Sequence, residues 1–174
     1  MSESLYSIVK IDDHLLNKEK ILFKISQLDH KLTSPIKSVI SNTDWKLKRD
    51  NWFPFSFSER DVSTITKKLL EKGGELNEGR LLVQDSWFNQ YYAKSGSQHP
   101  FHIHEMIDFI GIYFVELEDT SLTTILIDPI TKKEVRPRVN EGDMLICSGD
   151  IFHRSPSNYT DSRKTVVSFN FQFK

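Results

Sequence analysis

Cysteine is almost missing from this chain. Cys147 is the only one in 174 residues, so no internal disulfide framework can form and a reducing compartment, the cytoplasm, is the expected setting. It lies in the apolar run M-L-I-C and reads as a buried thiol rather than a nucleophile. An excess of charge of either sign is missing too. The 23 basic and 24 acidic residues leave a formal net charge of -1, which argues against nucleic acid or an anionic membrane surface as a partner. No run of eighteen apolar residues exists, so a spanning helix is excluded. The first ten residues, M-S-E-S-L-Y-S-I-V-K, lack the apolar stretch of a signal peptide. Repeats, low-complexity tracts and linkers are absent as well, and the length suits one domain over residues 1–174.

What is present divides into a helical front, about residues 1–79, and a strand-rich back, about 80–174. The stretch L-Y-S-I-V-K-I has the make-up of a short strand. Asp12 and Asp13 offer capping oxygens for a helix reaching about Leu28, with Leu15, Ile21, Leu22, Ile25 and Leu28 on one stripe. Residues 33–57 hold Pro35 and Pro54 and keep no period. Trp45, Trp52, Phe53, Phe55 and Phe57 are expected to cover core surface there. Ser58 caps a second helix with Ile65, Leu69 and Leu70 on its apolar side, and Gly73-Gly74 stops it. Beyond residue 80, segments rich in β-branched and aromatic residues alternate with turn formers and have no helix between them. That pattern predicts antiparallel strands in a sandwich or barrel.

Histidine is scarce, six in all, yet four fall in two places: H-P-F-H-I-H-E from His99, and H-R-S-P-S-N-Y-T-D-S-R from His153. Imidazole is the commonest metal ligand, and His102 and His104 share one face of an extended strand. A third ligand arriving from His153, roughly fifty residues on, completes a set suited to iron, zinc or copper rather than to magnesium or calcium. His14, His30 and His99 read as ordinary polar residues.

Arg163 opens the last strand, R-K-T-V-V-S-F-N-F-Q-F. Strand alternation sets it on the face of Thr165, Val167 and Phe169, whose apolar members suggest an inward direction. An inward guanidinium needs an anion, and its planar fork fits a carboxylate. Thr165 adds a hydroxyl. The expectation is a small acid held beside the metal.

In the order W-F-N-Q-Y-Y, Q-H-P-F-H-I-H, G-I-Y-F-V, G-D-M-L-I-C-S-G-D-I-F-H-R and R-K-T-V-V-S-F-N-F, residues from about Trp87 to Lys174 resemble the iron(II)- and 2-oxoglutarate-dependent oxygenases. The small bacterial and phage-type members are the most similar, and the prolyl 4-hydroxylases more loosely so. The resemblance implies a mainly β fold: a double-stranded β-helix, or jelly-roll, cupin-like core of antiparallel strands with N-terminal supporting helices. It makes His102 the first iron ligand and His153 the distal one. Arg163 and Thr165 would bind the far carboxylate of 2-oxoglutarate, Tyr92 and Tyr113 would reach the same carboxylate, and Asn89 and Trp87 would stand near the pocket mouth. The implied activity is a hydroxylation driven by O2 and by oxidative decarboxylation of 2-oxoglutarate to succinate and CO2. The substrate would be a small molecule or a peptide, peptidyl proline among the options.

One departure from the family pattern concerns the third ligand. The usual set is two histidines and a carboxylate in the form H-x-D or H-x-E, and here His104 stands at the acid's position. Three ligand sets are open: His104 itself, Glu105 or Asp108 swung in as the carboxylate, or two protein ligands only. His104 is favoured, because bound 2-oxoglutarate brings negative charge of its own. A cupin-type dioxygenase or isomerase working without 2-oxoglutarate, and a non-catalytic barrel protein, are the rival readings. The Arg163–Thr165 anchor argues against the cupin, and the missing acid argues for the non-catalytic barrel.

Overall fold

A computed structural model of the chain describes residues 5–28, 39–43, 57–71 and 81–173. His30, Trp45, Trp52, Phe53, Phe55 and the Gly73-Gly74 stop lie outside the described residues. Ten strands, two α-helices and one 3-10 turn (Thr120–Leu122) are present among those described. They run β1 (Ser7–Lys10), α1 (His14–Ser26), β2 (Asn42–Thr43), α2 (Glu59–Glu71), β3 (Leu81–Tyr91), β4 (Ser97–His102), β5 (Phe109–Leu117), β6 (Ile125–Ile127), β7 (Glu134–Val135), β8 (Asp143–Ser148), β9 (His153–Asn158) and β10 (Lys164–Phe173).

All the strand pairings are antiparallel. The large sheet has the order β1-β8-β5-β10-β3-β2 and the small one β4-β9-β6-β7. This is the expected antiparallel double-stranded β-helix, with helices outside it. The front of the chain contributes more than helices, because β1 pairs with β8 and β2 with β3, extending the large sheet at both ends.

Period-two alternation gives the large sheet two apolar faces, each with its own core. Phe88, Tyr113, Val115, Met144, Ile146, Val167, Phe169 and Phe171 face the helices and meet Ile21, Ile25, Ile65 and Leu69. Tyr91, Ile110, Ile112, Phe114, Leu145, Cys147 and Val166 face the small sheet. The thiol of Cys147 is buried, as its apolar run suggested. Gly111 keeps the helix side of β5 open: a Cβ there would stand 2.6 Å from the Phe171 ring and 3.0 Å from the Met144 sulfur.

Helix α2 begins as its sequence suggests. Ser58 Oγ accepts from Asp61 N at 3.0 Å while Ser58 N donates back to the Asp61 carboxylate at 3.2 Å, a reciprocal cap. The other oxygen of Asp61 accepts from Asp12 N at 3.0 Å, tying the starts of the two helices together. Two local expectations fail. Asp13 makes no side-chain cap, because its backbone is left-handed (φ 50°). Leu15 and Leu70 point to solvent; the residues that pack are Ile21 and Ile25 with Leu22 and Leu28 beside them, and Ile65 with Leu69. No described helix is long and apolar enough to cross a membrane.

Candidate metal centre

The small sheet brings the two histidine motifs together by register. His102 ends β4, His153 begins β9, and the two are direct cross-strand partners. His104 lies just past β4 in the turn leading to β5. That turn is pinned by His104 N donating to Gly149 O (2.8 Å) and Gly149 N donating to Asp108 O (3.1 Å). Position 149 tolerates no side chain, since a Cβ would sit 2.1 Å from the Ile107 carbonyl oxygen. The glycine that follows β8 thereby sets where His104 stands.

The three imidazoles converge. One nitrogen from each of His102, His104 and His153 lies within 4.8 Å of the others. Their outward nitrogens are all engaged by oxygen acceptors: His102 Nδ1 with Pro100 O at 2.8 Å, His153 Nδ1 with Ile151 O at 2.9 Å, and His104 Nδ1 with Asn170 Oδ1 at 2.7 Å. An oxygen acceptor fixes Nδ1 as the protonated nitrogen, so each Nε2 carries a lone pair. Such outer partners are what orient metal-binding histidines. Desolvation lowers all three from the ordinary imidazole range, His104 to about 4 and the most buried, His153, well down, so they are neutral at pH 7. Three neutral nitrogen donors with their tautomers set fit a borderline divalent ion such as iron or zinc. The Trp87 indole stacks against His104 with centroids 5.7 Å apart. His99, lowered to about 3 chiefly by desolvation, stacks on His102 at 3.9 Å. Glu105 and Asp108 are both exposed, and neither belongs to the imidazole cluster.

On one side of the cluster is a chamber between the sheets, walled by Trp87, Asn89, Tyr91, Ile110, Ile112, Ser155 and Lys164. Lys164 is its distinctive feature. The residue is 1 % exposed, and its ammonium donates to Leu122 O (2.7 Å) and Ser155 Oγ (2.9 Å) with the Tyr91 ring 5.0 Å away. No carboxylate pairs with it among the described residues. Desolvation accordingly lowers it from the ordinary lysine range to about 7. On the other side an open groove of about 520 Å³ runs past Asp85, Trp87, Ile103, Glu105, Ile107 and Asn170.

The candidates for the carboxylate site need correction. Arg163 does not enter the chamber. It is partly exposed and holds Glu116 with both ends of its fork, Nε to Oε2 at 2.9 Å and Nη2 to Oε1 at 2.8 Å. The anion its geometry called for is a side chain of the protein itself. Thr165 is bonded to the same Glu116 and to Gln90. Tyr92 is exposed beside Arg163. Tyr113 is fully buried on the helix side of the large sheet, where its hydroxyl meets His14 Nδ1 at 2.7 Å. Strand phase accounts for Arg163 and Thr165. The odd-numbered positions of β10 face the helices and the even-numbered ones face the chamber, so Lys164, Val166 and Ser168 are the inward residues. On β3 it is Tyr91, not Tyr92, that points in. Asn89 does line the chamber, with Ser41 Oγ 3.3 Å from its Oδ1. Ile110 and Ile112 line it as well, whereas Phe101 and Phe152 are exposed.

No protein-family model matches this chain, and no curated protein matches it in sequence. Solved structures do. The carbocyclase SnoK from nogalamycin biosynthesis, described as non-heme and α-ketoglutarate dependent, superimposes with a TM-score of 0.69 at 10% identity, covering 98% of this chain and 80% of that one. A Pseudomonas putida prolyl-4-hydroxylase gives 0.61 at 12% identity over 98% and 93%. The viral collagen prolyl hydroxylase of Paramecium bursaria Chlorella virus-1, solved with 2-oxoglutarate, gives 0.59 at 10% identity over 98% and 97%. In fold, this chain is a double-stranded β-helix of the iron(II)- and 2-oxoglutarate-dependent oxygenase type.

Proposed function

We propose that the chain is an iron(II)- and 2-oxoglutarate-dependent dioxygenase, acting as a hydroxylase. One observation carries the reading: three tautomer-fixed imidazoles converge beside a buried lysine that has no counter-ion among the described residues. His102, His104 and His153 would hold iron through Nε2. Lys164 would take the far carboxylate of 2-oxoglutarate, the role first given to Arg163, with Ser155 and Tyr91 beside it. Bound iron, with 2-oxoglutarate and O2, supplies the oxidising chemistry, decarboxylation of the cosubstrate being coupled to hydroxylation of a C–H bond.

The protein's part is placement and exclusion. Ile110, Ile112 and Val166 make a dry wall between the sheets. In that dry setting the attraction between the Lys164 ammonium and an anion is far stronger than in water. Trp87 and Asn170 fix the ring of His104 from two directions. His104 is neutral where the family usually has an acid, so the charge on the iron is balanced by 2-oxoglutarate alone. The free space of the chamber is about 30 Å³, room for a water or two. Cosubstrate entry therefore requires side chains to swing outward, and His99 stands at the boundary of chamber and groove. The buried lysine also favours this reading over a cupin without 2-oxoglutarate, which has no use for an inward cation.

The test is anaerobic loading with iron(II), followed by 2-oxoglutarate. The expected result is stoichiometric metal, the visible absorption of a chelated 2-oxo acid, and succinate release on admitting O2. His153→Ala should abolish metal binding and His99→Ala should retain it. Equal loss in both variants, or no 2-oxoglutarate binding by the native protein, overturns the reading.

A further inference from the structure

The hydrogen bonds around Lys164 suit an amine better than an ammonium. An ammonium carries three donors, whereas an amine carries two and keeps a lone pair. Nζ has two acceptors, Leu122 O at 2.7 Å and Ser155 Oγ at 2.9 Å, and no third among the described residues. The rings of Tyr91 and Phe114, 5.0 and 5.7 Å from Nζ, offer a cation their faces but take no hydrogen bond from it. Both acceptors are neutral. The ionisable groups in the chamber lining besides Lys164 are Tyr91, Arg154 and the imidazoles of His99, His102, His104 and His153, so no carboxylate there offsets a positive charge. Tyr91 is pushed up by its burial and stays a neutral phenol. Desolvation lowers Lys164 to about 7, which agrees with the donor count: at neutral pH much of it is free amine.

A desolvated amine is a nucleophile, and the chamber decides which electrophile reaches it. Its free space of about 30 Å³ is too small for 2-oxoglutarate without side-chain movement, yet it suits a linear triatomic molecule. Ile110, Ile112 and Val166 give it an apolar wall, which suits a non-polar gas. CO2 meets both conditions, and the oxygenase reaction proposed above releases it in this same chamber.

We propose that Lys164 is a reversible carbamylation site, at which CO2 converts the anchor for an anion into an anion. The amine lone pair attacks the carbon of CO2. An N–C bond forms, one C=O π bond opens onto oxygen, and the nitrogen loses one proton to solvent. In balance, R–NH2 and CO2 give R–NH–COO− and H+, with nothing oxidised or reduced. The remaining N–H keeps Leu122 O, and the Ser155 hydroxyl turns to donate to the new carboxylate. A carbamate repels the far carboxylate of 2-oxoglutarate, so CO2 and the cosubstrate exclude each other at Lys164. That regulation rests on the oxygenase reading above, whereas the carbamate itself rests on the lysine alone.

The test is chemical trapping on the native protein, without metal or cosubstrate, in isotope-labelled bicarbonate equilibrated with CO2 at constant pH and ionic strength. Triethyloxonium converts carbamates to stable ethyl carbamates, which peptide mass spectrometry locates. Lys164 should carry the label, while exposed lysines, held protonated by water, should carry little; an added peptide with a free α-amino group is the positive control. In protein loaded anaerobically with iron(II), the dissociation constant for 2-oxoglutarate should rise as sites are blocked, about twofold at half occupancy by CO2. Lys164→Arg, which keeps a cation and forms no carbamate, should show no response to CO2. A label at Lys164 no greater than at exposed lysines, or a labelled Lys164 with 2-oxoglutarate affinity indifferent to CO2, overturns this inference and leaves the oxygenase reading intact. Native protein that binds no 2-oxoglutarate brings down that reading, and a label at Lys164 in the same protein still upholds the carbamylation site.

Discussion

Replacing Lys164 by methionine tests the chamber most directly, because it removes a charge and keeps most of the volume. In the ligand-free protein that charge is a burden. The ammonium is buried between the sheets with two neutral hydrogen-bond partners, and desolvation lowers it from 10.5 to about 7. A shift of that size corresponds to about 5 kcal/mol of disfavour for the charged form in the folded state, an order-of-magnitude figure. Unfolded chain binds the proton up to its higher value, so between about pH 7 and 10 the unfolded state holds more protons and wild-type stability rises with pH. Below pH 7 the lysine is charged in both states and the penalty is fully present. The methionine variant lacks this term but leaves Leu122 O and Ser155 Oγ without their donor, at about 1–3 kcal/mol each. The absolute difference at pH 6 is therefore small and of either sign.

The slope is the sharper quantity. Relative to wild type, the variant should lose about 2 kcal/mol of stability between pH 7 and 9, as the native lysine sheds its proton. Urea unfolding across that range reads this directly. Cosubstrate binding reads the other half: removing one partner of a buried, hydrogen-bonded charge pair costs about 2–5 kcal/mol. The dissociation constant for 2-oxoglutarate should rise by roughly 30-fold to a few thousand-fold, with iron affinity retained. In wild type the same affinity should weaken with rising pH once the free lysine begins to deprotonate near 7. A stability difference independent of pH would mean the lysine has a counter-charge, and unaltered 2-oxoglutarate affinity would mean it is not the anchor.

Three other substitutions separate the remaining parts. Arg163→Ala should leave 2-oxoglutarate affinity within about twofold of wild type, since its fork holds Glu116 at a half-exposed site, and should lower stability by about 1 kcal/mol or less; a steep loss of cosubstrate affinity would return the anchor to it. Gly149→Ala should displace the turn bearing His104, because its Cβ would meet a backbone oxygen at 2.1 Å, and should weaken iron binding more than 2-oxoglutarate contacts at Lys164; unchanged metal affinity would refute the link. Asn170→Leu should weaken iron binding by about 10–100-fold by freeing the tautomer of His104, and an unaltered metal titration would count against His104 as a ligand.

The sequence made the imidazole cluster legible and hid the buried lysine, for one physical reason. Histidines are rare enough that their clustering is informative without any knowledge of side-chain direction. His102 and His153 sit at strand ends that face each other, so neither depends on the parity of a long strand. The basic pair Arg163-Lys164 depends on it entirely. Here Val167 and Phe169 were taken to mark the inward face. The large sheet, however, is apolar on both faces, because α1 and α2 cover the side away from the small sheet. A strand buried on both faces has no polar side by which to read its phase, so one residue of error moves every side chain to the other layer. Tyr92, just past the end of β3, stays outside, and its neighbour Tyr91 is the residue that points in.

Chemistry breaks the tie that pattern leaves open. Of two adjacent basic residues, one can reach water and a glutamate, and the other cannot reach either. Arg163 with Glu116 forms a self-contained pair that needs no ligand. Lys164, with two neutral hydrogen-bond partners and walled by Tyr91 and Phe114, has no carboxylate beside it among the described residues, an unfavourable setting for its charge. A fold that keeps such a group in its dry interior stores a demand for negative charge at that point.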